Sequence, residues 1–136
     1  MLSQRTPIAT LPTADMSKAQ TFYEGTLGLR PERHDVAGTF YNCGDGSIFV
    51  YASAYAGTNK ATAMTFAVPL EDFDAEIEVL RGKGVALLTF DLEGVVWKDG
   101  VASIGDGARA VWFADPDGNI INVTGGTMRR TDHRGS

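Results

Sequence analysis

The sequence contains little that could build a disulfide or metal centre. Its 136 residues include one cysteine and two histidines. A single cysteine excludes a disulfide framework within the chain, and this composition also excludes a Cys/His zinc module. A site with several imidazole ligands from one chain would need His34 and His133 together.

Long hydrophobic runs and an excess of positive charge are also missing. No apolar run approaches the ~18 residues of a membrane span, and residues 1–5 lack the apolar core of a signal peptide. The formal net charge is −5, from 12 Lys and Arg against 17 Asp and Glu. We therefore expect a cytoplasmic protein that binds neither nucleic acid nor membrane.

The sequence contains an internal repeat of a short structural unit. Asp45-Gly46 and Asp117-Gly118 each precede a β-prone run, as hairpin turns do. Apolar stripes predict helices over 17–27 and 70–81, the first with Ser17 and Gln20 at capping-box spacing. Strands are predicted at 8–13, 33–35, 40–43 and 47–52 in the first half, and at 63–68, 85–90, 109–114 and 120–124 in the second.

Each half therefore has the order β-α-β-β-β. One such unit cannot bury both faces of its sheet, so two are expected to pair around a strand-lined cleft. The predicted fold class is α+β. We expect a single domain over 1–128, with half-modules at about 6–53 and 62–125, and a polar tail over 129–136.

Two segments resemble a known superfamily. Leu11-Pro12-Thr13-Ala14-Asp15-Met16, followed by Phe22-Tyr23 and Leu27-Gly28-Leu29, is similar to its opening strand and helix. Trp112-Phe113-Ala114-Asp115-Pro116-Asp117-Gly118-Asn119 is similar to its closing hairpin. The chain resembles the vicinal oxygen chelate superfamily (glyoxalase I, bleomycin-resistance proteins and extradiol dioxygenases), and in particular its small one-module members.

The resemblance also locates the metal-ligand positions of that superfamily. Metal-using members hold a divalent ion with His, Glu or Gln from the first and last strand of each half. The equivalent positions here are Ile8, Val50, Ala63 and Asn122. Three of these side chains have no donor atom, and Asn122 offers only an amide oxygen, so we predict no metal and no cofactor.

Strand alternation predicts which side chains share a face with those positions. Thr10 and Pro12 follow from Ile8, Ile48 and Ala52 from Val50, and Thr65 from Ala63. A glycine-rich loop over 91–107 carries Trp97, which either folds over the cleft or packs on a surface. The candidate ligand-binding residues are Thr10, Tyr41, Tyr51, Thr65, Trp97 and Asn122.

Two other residues carry reactive groups. His34 is either a general base oriented by Asp35 or an exposed strand histidine. Cys43, in an apolar strand without a histidine close in sequence, is interpreted as an inert small hydrophobe.

Two functions remain open on the sequence alone. The first is binding of a small, largely apolar or aromatic molecule without metal. The alternative is an enzyme of the same superfamily, a lyase, isomerase or dioxygenase, that is metal-independent or has an unrecognised metal site. We expect a homodimer in either case, and no residue pattern names the ligand.

Overall fold

The computed structural model describes residues 1–4, 6–105 and 107–126. Its strands fall into two mixed sheets accompanied by few helices, which confirms the predicted α+β class. The chain forms two compact units, which are described separately below. No helix within the described ranges is long and apolar enough to cross a membrane. The predicted tail over 129–136 lies outside these ranges.

The elements follow the chain in one order. They are a 3-10 turn Leu2–Gln4, β1 Ala9–Thr13, α1 Met16–Gln20, a π-helical segment Thr21–Thr26, β2 Arg30–His34, β3 Gly38–Cys43, β4 Gly46–Ala52, β5 Thr62–Val68, α2 Leu70–Gly82, β6 Val95–Lys98, β7 Val101–Ile104, β8 Ala108–Ala114 and β9 Ile120–Gly125.

The first unit comprises residues 1–63 and 115–119. Its sheet has the order β1-β4-β3-β2, in which β1 runs parallel to β4 and the other neighbours are antiparallel. The first residue of β3 is Gly38, and a Cβ at this position would meet the Val50 carbonyl oxygen at 2.2 Å. The strands can approach this closely only where the side chain is absent.

Helix α1 begins at a different cap from the one predicted. Asp15 has an extended backbone, and its carboxylate accepts a hydrogen bond from the Lys18 amide at 3.2 Å. The predicted capping box at Ser17 is therefore wrong, because Ser17 already lies inside the helix. The π-helical segment closes with the Leu27 amide donating to the Phe22 carbonyl.

A buried carboxylate organises the turn at 115–119. Asp115 accepts hydrogen bonds from the backbone amides of Asp117 and Asn119, from the Asn119 side chain, and from the Tyr23 hydroxyl at 2.7 Å. The Asn119 amide also donates to the Pro12 carbonyl. These bonds explain why the closing motif requires Asp and Asn at these spacings.

The second unit comprises residues 64–114 and the chain from 120 onward. Its sheet has the order β5-β9-β8-β7-β6. Helix α2 confirms the predicted helix over 70–81, and its stripe of Phe73, Ile77 and Leu80 is buried as expected. Phe73 packs against Gly125 of β9 and lies beneath the Arg109 guanidinium of β8.

The segment predicted as a glycine-rich loop is a β-hairpin. Strands β6 and β7 pair through a two-residue turn, Asp99-Gly100, in which both residues have positive φ (52° and 80°). This is the geometry of a tight turn that matches strand twist. Arg81 of α2 donates to the Asp99 carbonyl, and Leu87 packs against Gly100.

The predicted strand over 85–90 is wrong. Within it Leu88 forms a single isolated bridge, donating its amide to the Trp112 carbonyl at 2.8 Å. Strand β7 pairs with β8 at residues 108–110. Leu88 thus pairs with β8 at Trp112, past the residues of β8 that pair with β7.

Candidate functional site

The second unit has one sheet face covered by α2 and one facing away from it. Phe73 of α2 contacts Arg109 and Gly125, which pair with each other. Because side chains alternate along strands, Trp112 and its partner Asn122 lie on the opposite face. We call the face that α2 does not cover the open face of the second unit.

Trp97 lies on the same open face as Trp112. It pairs with Ala102 of β7, which in turn pairs with Ala110 of β8, two residues from Trp112. Both alanines are buried. Small side chains at these two positions allow the large rings on the flanking strands to lean over the sheet. Trp97 is therefore a strand residue with a ring partner, and the predicted placement on a loop is wrong.

Three aromatic rings meet on this face. The Trp97 and Trp112 rings have centroids 5.7 Å apart at an interplanar angle of 54°, and Phe90 meets Trp112 edge-on at 5.8 Å and 86°. All three side chains are half-buried. We call Phe90, Trp97 and Trp112 the tryptophan cluster. Half-buried inclined rings present both ring faces and edges to a small molecule.

Asn122 is buried beside the cluster and has intramolecular partners. Its side-chain nitrogen donates to the Val111 carbonyl at 3.0 Å, and its oxygen accepts from the Thr124 hydroxyl at 2.6 Å. The Asn122 oxygen is the one possible metal ligand atom among the four ligand-equivalent positions, and it already accepts a hydrogen bond within the sheet.

The donor set does not fit the divalent ion that the superfamily's metal-using members hold. Ile8, Val50 and Ala63 offer no donor atoms, and within residues 1–4, 6–105 and 107–126 no three His, Cys, Asp or Glu side chains are grouped to hold a metal ion. Transition metals bind strongly where imidazole, thiolate or carboxylate groups converge. We therefore derive no chemistry through a metal.

The first unit has a second aromatic surface. Phe49 and Tyr51 of β4 are stacked at 5.8 Å, and Phe40 of β3 stacks on Phe49 at 4.3 Å. The Arg33 guanidinium lies 4.2 Å from the Phe40 ring centroid. Thr10 pairs with Phe49 and shares this face. We call Phe40, Phe49 and Tyr51 the aromatic ladder.

The structure corrects the predicted grouping around Val50. Val50 pairs with Leu11, so it lies on the opposite face from Thr10, and it is buried. The residues of β4 that share a face with Thr10 are Ser47, Phe49 and Tyr51. Both alternating sets of β4 are mostly apolar, so periodicity alone did not distinguish the two faces.

Tyr41 is a core residue rather than a residue at the rim of a ligand site. It is fully buried, stacks on Tyr23 at 5.8 Å, and donates its hydroxyl to Glu24 at 2.9 Å. Burial and the Glu24 carboxylate raise the pKa of the Tyr41 hydroxyl, which keeps it protonated. The predicted ligand contact at Tyr41 is therefore not part of the site proposed below.

The remaining candidates are distributed over both units. Tyr51 lies in the aromatic ladder, and Trp97 and Asn122 lie on the open face of the second unit. Thr10 is exposed, and its hydroxyl donates to the Ile8 carbonyl. Thr65 is exposed on β5. The structure thus brings Trp97 and Asn122 onto one face, and Thr10 and Tyr51 onto another.

His34 and Cys43 have environments of their own. The His34 Nδ1 lies 2.8 Å from the Thr39 hydroxyl, whereas the Asp35 carboxylate bonds to Arg33 and to two backbone amides. The group that orients His34 is therefore Thr39, and the prediction of Asp35 in that role is wrong. Burial raises the pKa of the Cys43 thiol, as expected of an inert side chain.

Sequence reasoning missed Trp112, Phe90, Phe40 and Phe49. A usable signal existed for Trp112, which alternates with Ala110 and Ala114 in a run that faces Asn122 across the hairpin. Phe49 and Tyr51 show the same two-residue spacing. No comparable signal marks Phe90, because it lies outside any regular strand.

The comparisons with known proteins agree with this architecture. The sequence model of the Glyoxalase/Bleomycin resistance protein/Dioxygenase superfamily matches residues 6–123. The chain belongs to this superfamily. No curated protein matches it in sequence.

Solved structures share the fold at low sequence identity. A lactoylglutathione lyase from Agrobacterium tumefaciens has a TM-score of 0.69 at 16% identity, over 89% of this chain and 92% of that one. A bleomycin resistance determinant encoded on transposon Tn5 gives 0.65 at 18%, over 90% and 98%. A fosfomycin resistance protein from Mesorhizobium loti gives 0.65 at 16%, over 94% and 96%. At such identities the likeness establishes the fold alone.

Proposed function

We propose that this protein binds a small, largely apolar or aromatic molecule at the tryptophan cluster without a resident metal ion. The observation that carries the proposal is the cluster itself, three half-buried rings on the open face of the second unit. Half-buried aromatic rings retain apolar area for a ligand to cover. The absence of donor atoms at Ile8, Val50 and Ala63 supports metal independence.

Tryptophan fluorescence tests this proposal directly. The chain has two tryptophans, and both belong to the cluster. A compound that binds there should change the emission on titration. A panel of uncharged aromatic compounds, anionic aromatics and natural-product fragments is therefore screened by fluorescence and by thermal shift.

A matched pair of variants localises the binding. Trp97→Ala removes one ring of the cluster and should weaken binding of a compound found in the screen about fivefold, because a stacked ring contributes roughly 1 kcal/mol. Val96→Ala changes the neighbouring residue, which is 70% exposed on the other face of β6, and should leave the affinity unchanged. Equal affinity in Trp97→Ala and the parent would contradict the proposed site.

The superfamily also supports a second candidate, an enzyme. Lactoylglutathione lyase and fosfomycin resistance protein, both structural neighbours, carry names of enzymatic or resistance functions. In this chain the specific observation is His34, whose Nδ1 is held by Thr39 while its ring is exposed. Metal analysis of the purified protein separates a metal-dependent enzyme from the metal-independent candidates, because stoichiometric, tightly bound Ni, Zn, Fe or Mn would contradict metal-free binding.

A homodimer is part of the same proposal. Members of the superfamily commonly dimerise. Light scattering should give about twice the 14.6 kDa chain mass. A mass equal to one chain would contradict the dimer without affecting the proposed ligand site.

A further inference from the structure

The formal charge is distributed unevenly along the chain. Residues 64–114, which form most of the second unit, contain nine Asp and Glu against four Lys and Arg. The rest of the chain contains eight of each kind. The whole net charge of −5 therefore belongs to residues 64–114. Five of the nine acidic residues of this segment lie on α2, on the far side of the sheet from the tryptophan cluster.

The two aromatic surfaces differ in their own cations. In the first unit, Arg33 occupies the face of Phe40 at the end of the aromatic ladder. In the second unit, the arginine that lies over a ring is Arg109, which covers Phe73 on the α2 face and pairs with Asp74. Neither of these two cation–ring contacts involves a ring of the tryptophan cluster.

The charged residues nearest to the cluster in sequence are mostly acidic. Asp91 directly follows Phe90, Glu93 lies two residues further along the chain, and both are exposed. Lys98 is adjacent to Trp97, but strand alternation places it on the α2 face of β6, away from the cluster.

The inclination of the rings also distinguishes the two surfaces. The aromatic ladder is nearly parallel, with interplanar angles of 24° and 9°. In the tryptophan cluster the angles are 54° and 86°. Parallel rings suit a flat partner, whereas rings inclined to each other can direct several π-faces and edges at one rounded group. Alkylated ammonium groups are recognised in this way, since they combine apolar surface with positive charge.

We propose that the ligand of the tryptophan cluster carries an alkylated ammonium group. This inference rests on the proposed function and specifies its ligand class. The ring faces of Trp97 and Trp112 contact the alkyl substituents, and their negative π-faces stabilise the charge. Asp91 and Glu93 contribute a longer-range attraction that salt screens.

A pair of probes that differ in charge but not in shape tests the inference. Choline carries a trimethylammonium group, and 3,3-dimethylbutan-1-ol replaces its nitrogen with carbon. Both are titrated into the full-length protein while tryptophan emission is followed. We expect choline to bind about tenfold more tightly than the neutral alcohol, within the range of a partly desolvated cation–π interaction.

Variants assign the effect to particular residues. Trp97→Leu keeps an apolar side chain but removes the π-face, and should weaken choline binding about 3- to 10-fold with little effect on the alcohol. Asp91→Asn with Glu93→Gln should reduce choline binding at low salt only. Val96→Ala should change neither affinity, and Trp112 remains as the reporter throughout.

The outcomes below test whether the cluster recognises an alkylated ammonium group. Preference for choline that is lost in Trp97→Leu supports the inference. Equal affinity for the two probes overturns it and leaves the proposed apolar binding intact, because the site would then recognise shape without charge. No response to choline also overturns it, while the compound screen tests the proposed function separately.

Discussion

Removing the Tyr23 hydroxyl should destabilise the first unit measurably. Tyr23 is fully buried, and its hydroxyl donates to the Asp115 carboxylate at 2.7 Å. Burial and the Asp115 charge raise the pKa of this hydroxyl, so it stays a donor at every pH at which the protein is handled. Tyr23→Phe keeps the ring and removes only the donor.

The expected cost follows from the partners that Asp115 retains. A hydrogen bond to a buried charged group contributes about 1.5–3 kcal/mol. In the variant, Asp115 still accepts from the amides of Asp117 and Asn119 and from the Asn119 side chain. We therefore expect a loss of about 2 kcal/mol in the free energy of unfolding.

Tyr41→Phe provides a matched control. The Tyr41 ring is equally buried and stacks on Tyr23, but its hydroxyl bonds to Glu24, which is half-exposed and can be hydrated instead. Its loss should cost about 0.5–1 kcal/mol.

Urea unfolding followed by circular dichroism measures both variants. Tyr23→Phe should lower the unfolding midpoint by about 1 M urea with an unchanged slope, given a slope of roughly 2 kcal/mol per M for a chain of this size. The Tyr41→Phe midpoint should fall by about half as much or less. An equal or smaller effect for Tyr23→Phe would refute the account of Asp115 as the organiser of the turn.

Three further predictions concern single residues. Burial raises the pKa of the Cys43 thiol, so alkylation of this single thiol should be slower than that of free cysteine at pH 8. The alkylation rate should reach half its maximum only at a higher pH than for free cysteine. A half-maximal pH at or below that of free cysteine would contradict this. Arg81→Ala should release the β6–β7 turn and increase amide hydrogen exchange at residues 95–104, with little change in global stability. Arg81→Lys should restore part of the protection. Unchanged exchange would show that Leu87 alone holds the turn. Ala102→Val should displace the Trp97 ring and shift tryptophan emission to longer wavelength, whereas an unchanged spectrum would mean that the ring does not rest on Ala102.

The helices and most strands could be predicted from local patterns. The stripe of Phe73, Ile77 and Leu80 predicted α2 because a helix that covers a sheet must present one apolar face. The β6–β7 hairpin also had a local signal, Asp99-Gly100 between β-prone residues, but the surrounding glycines favoured a loop. Pairing with β8 provides the partner that makes these short strands stable.

The faces of the strands were harder to predict than the strands themselves. In β4 both alternating sets are mostly apolar, Ile48 and Val50 on one side and Phe49 and Tyr51 on the other. Which set meets the helix depends on register with β1, and register is a tertiary property. The same limit explains why Tyr41 was placed in the ligand site, although it packs against Tyr23 in the core.

The central claim is binding at the tryptophan cluster without metal. It is tested by titrating the best compound from the screen into protein dialysed against a chelator, and into the same protein supplied with Ni, Zn, Fe or Mn, with tryptophan emission as the readout. Binding without metal predicts the same dissociation constant in every sample. Binding that requires one of the metals, and is lost after chelation, would contradict it.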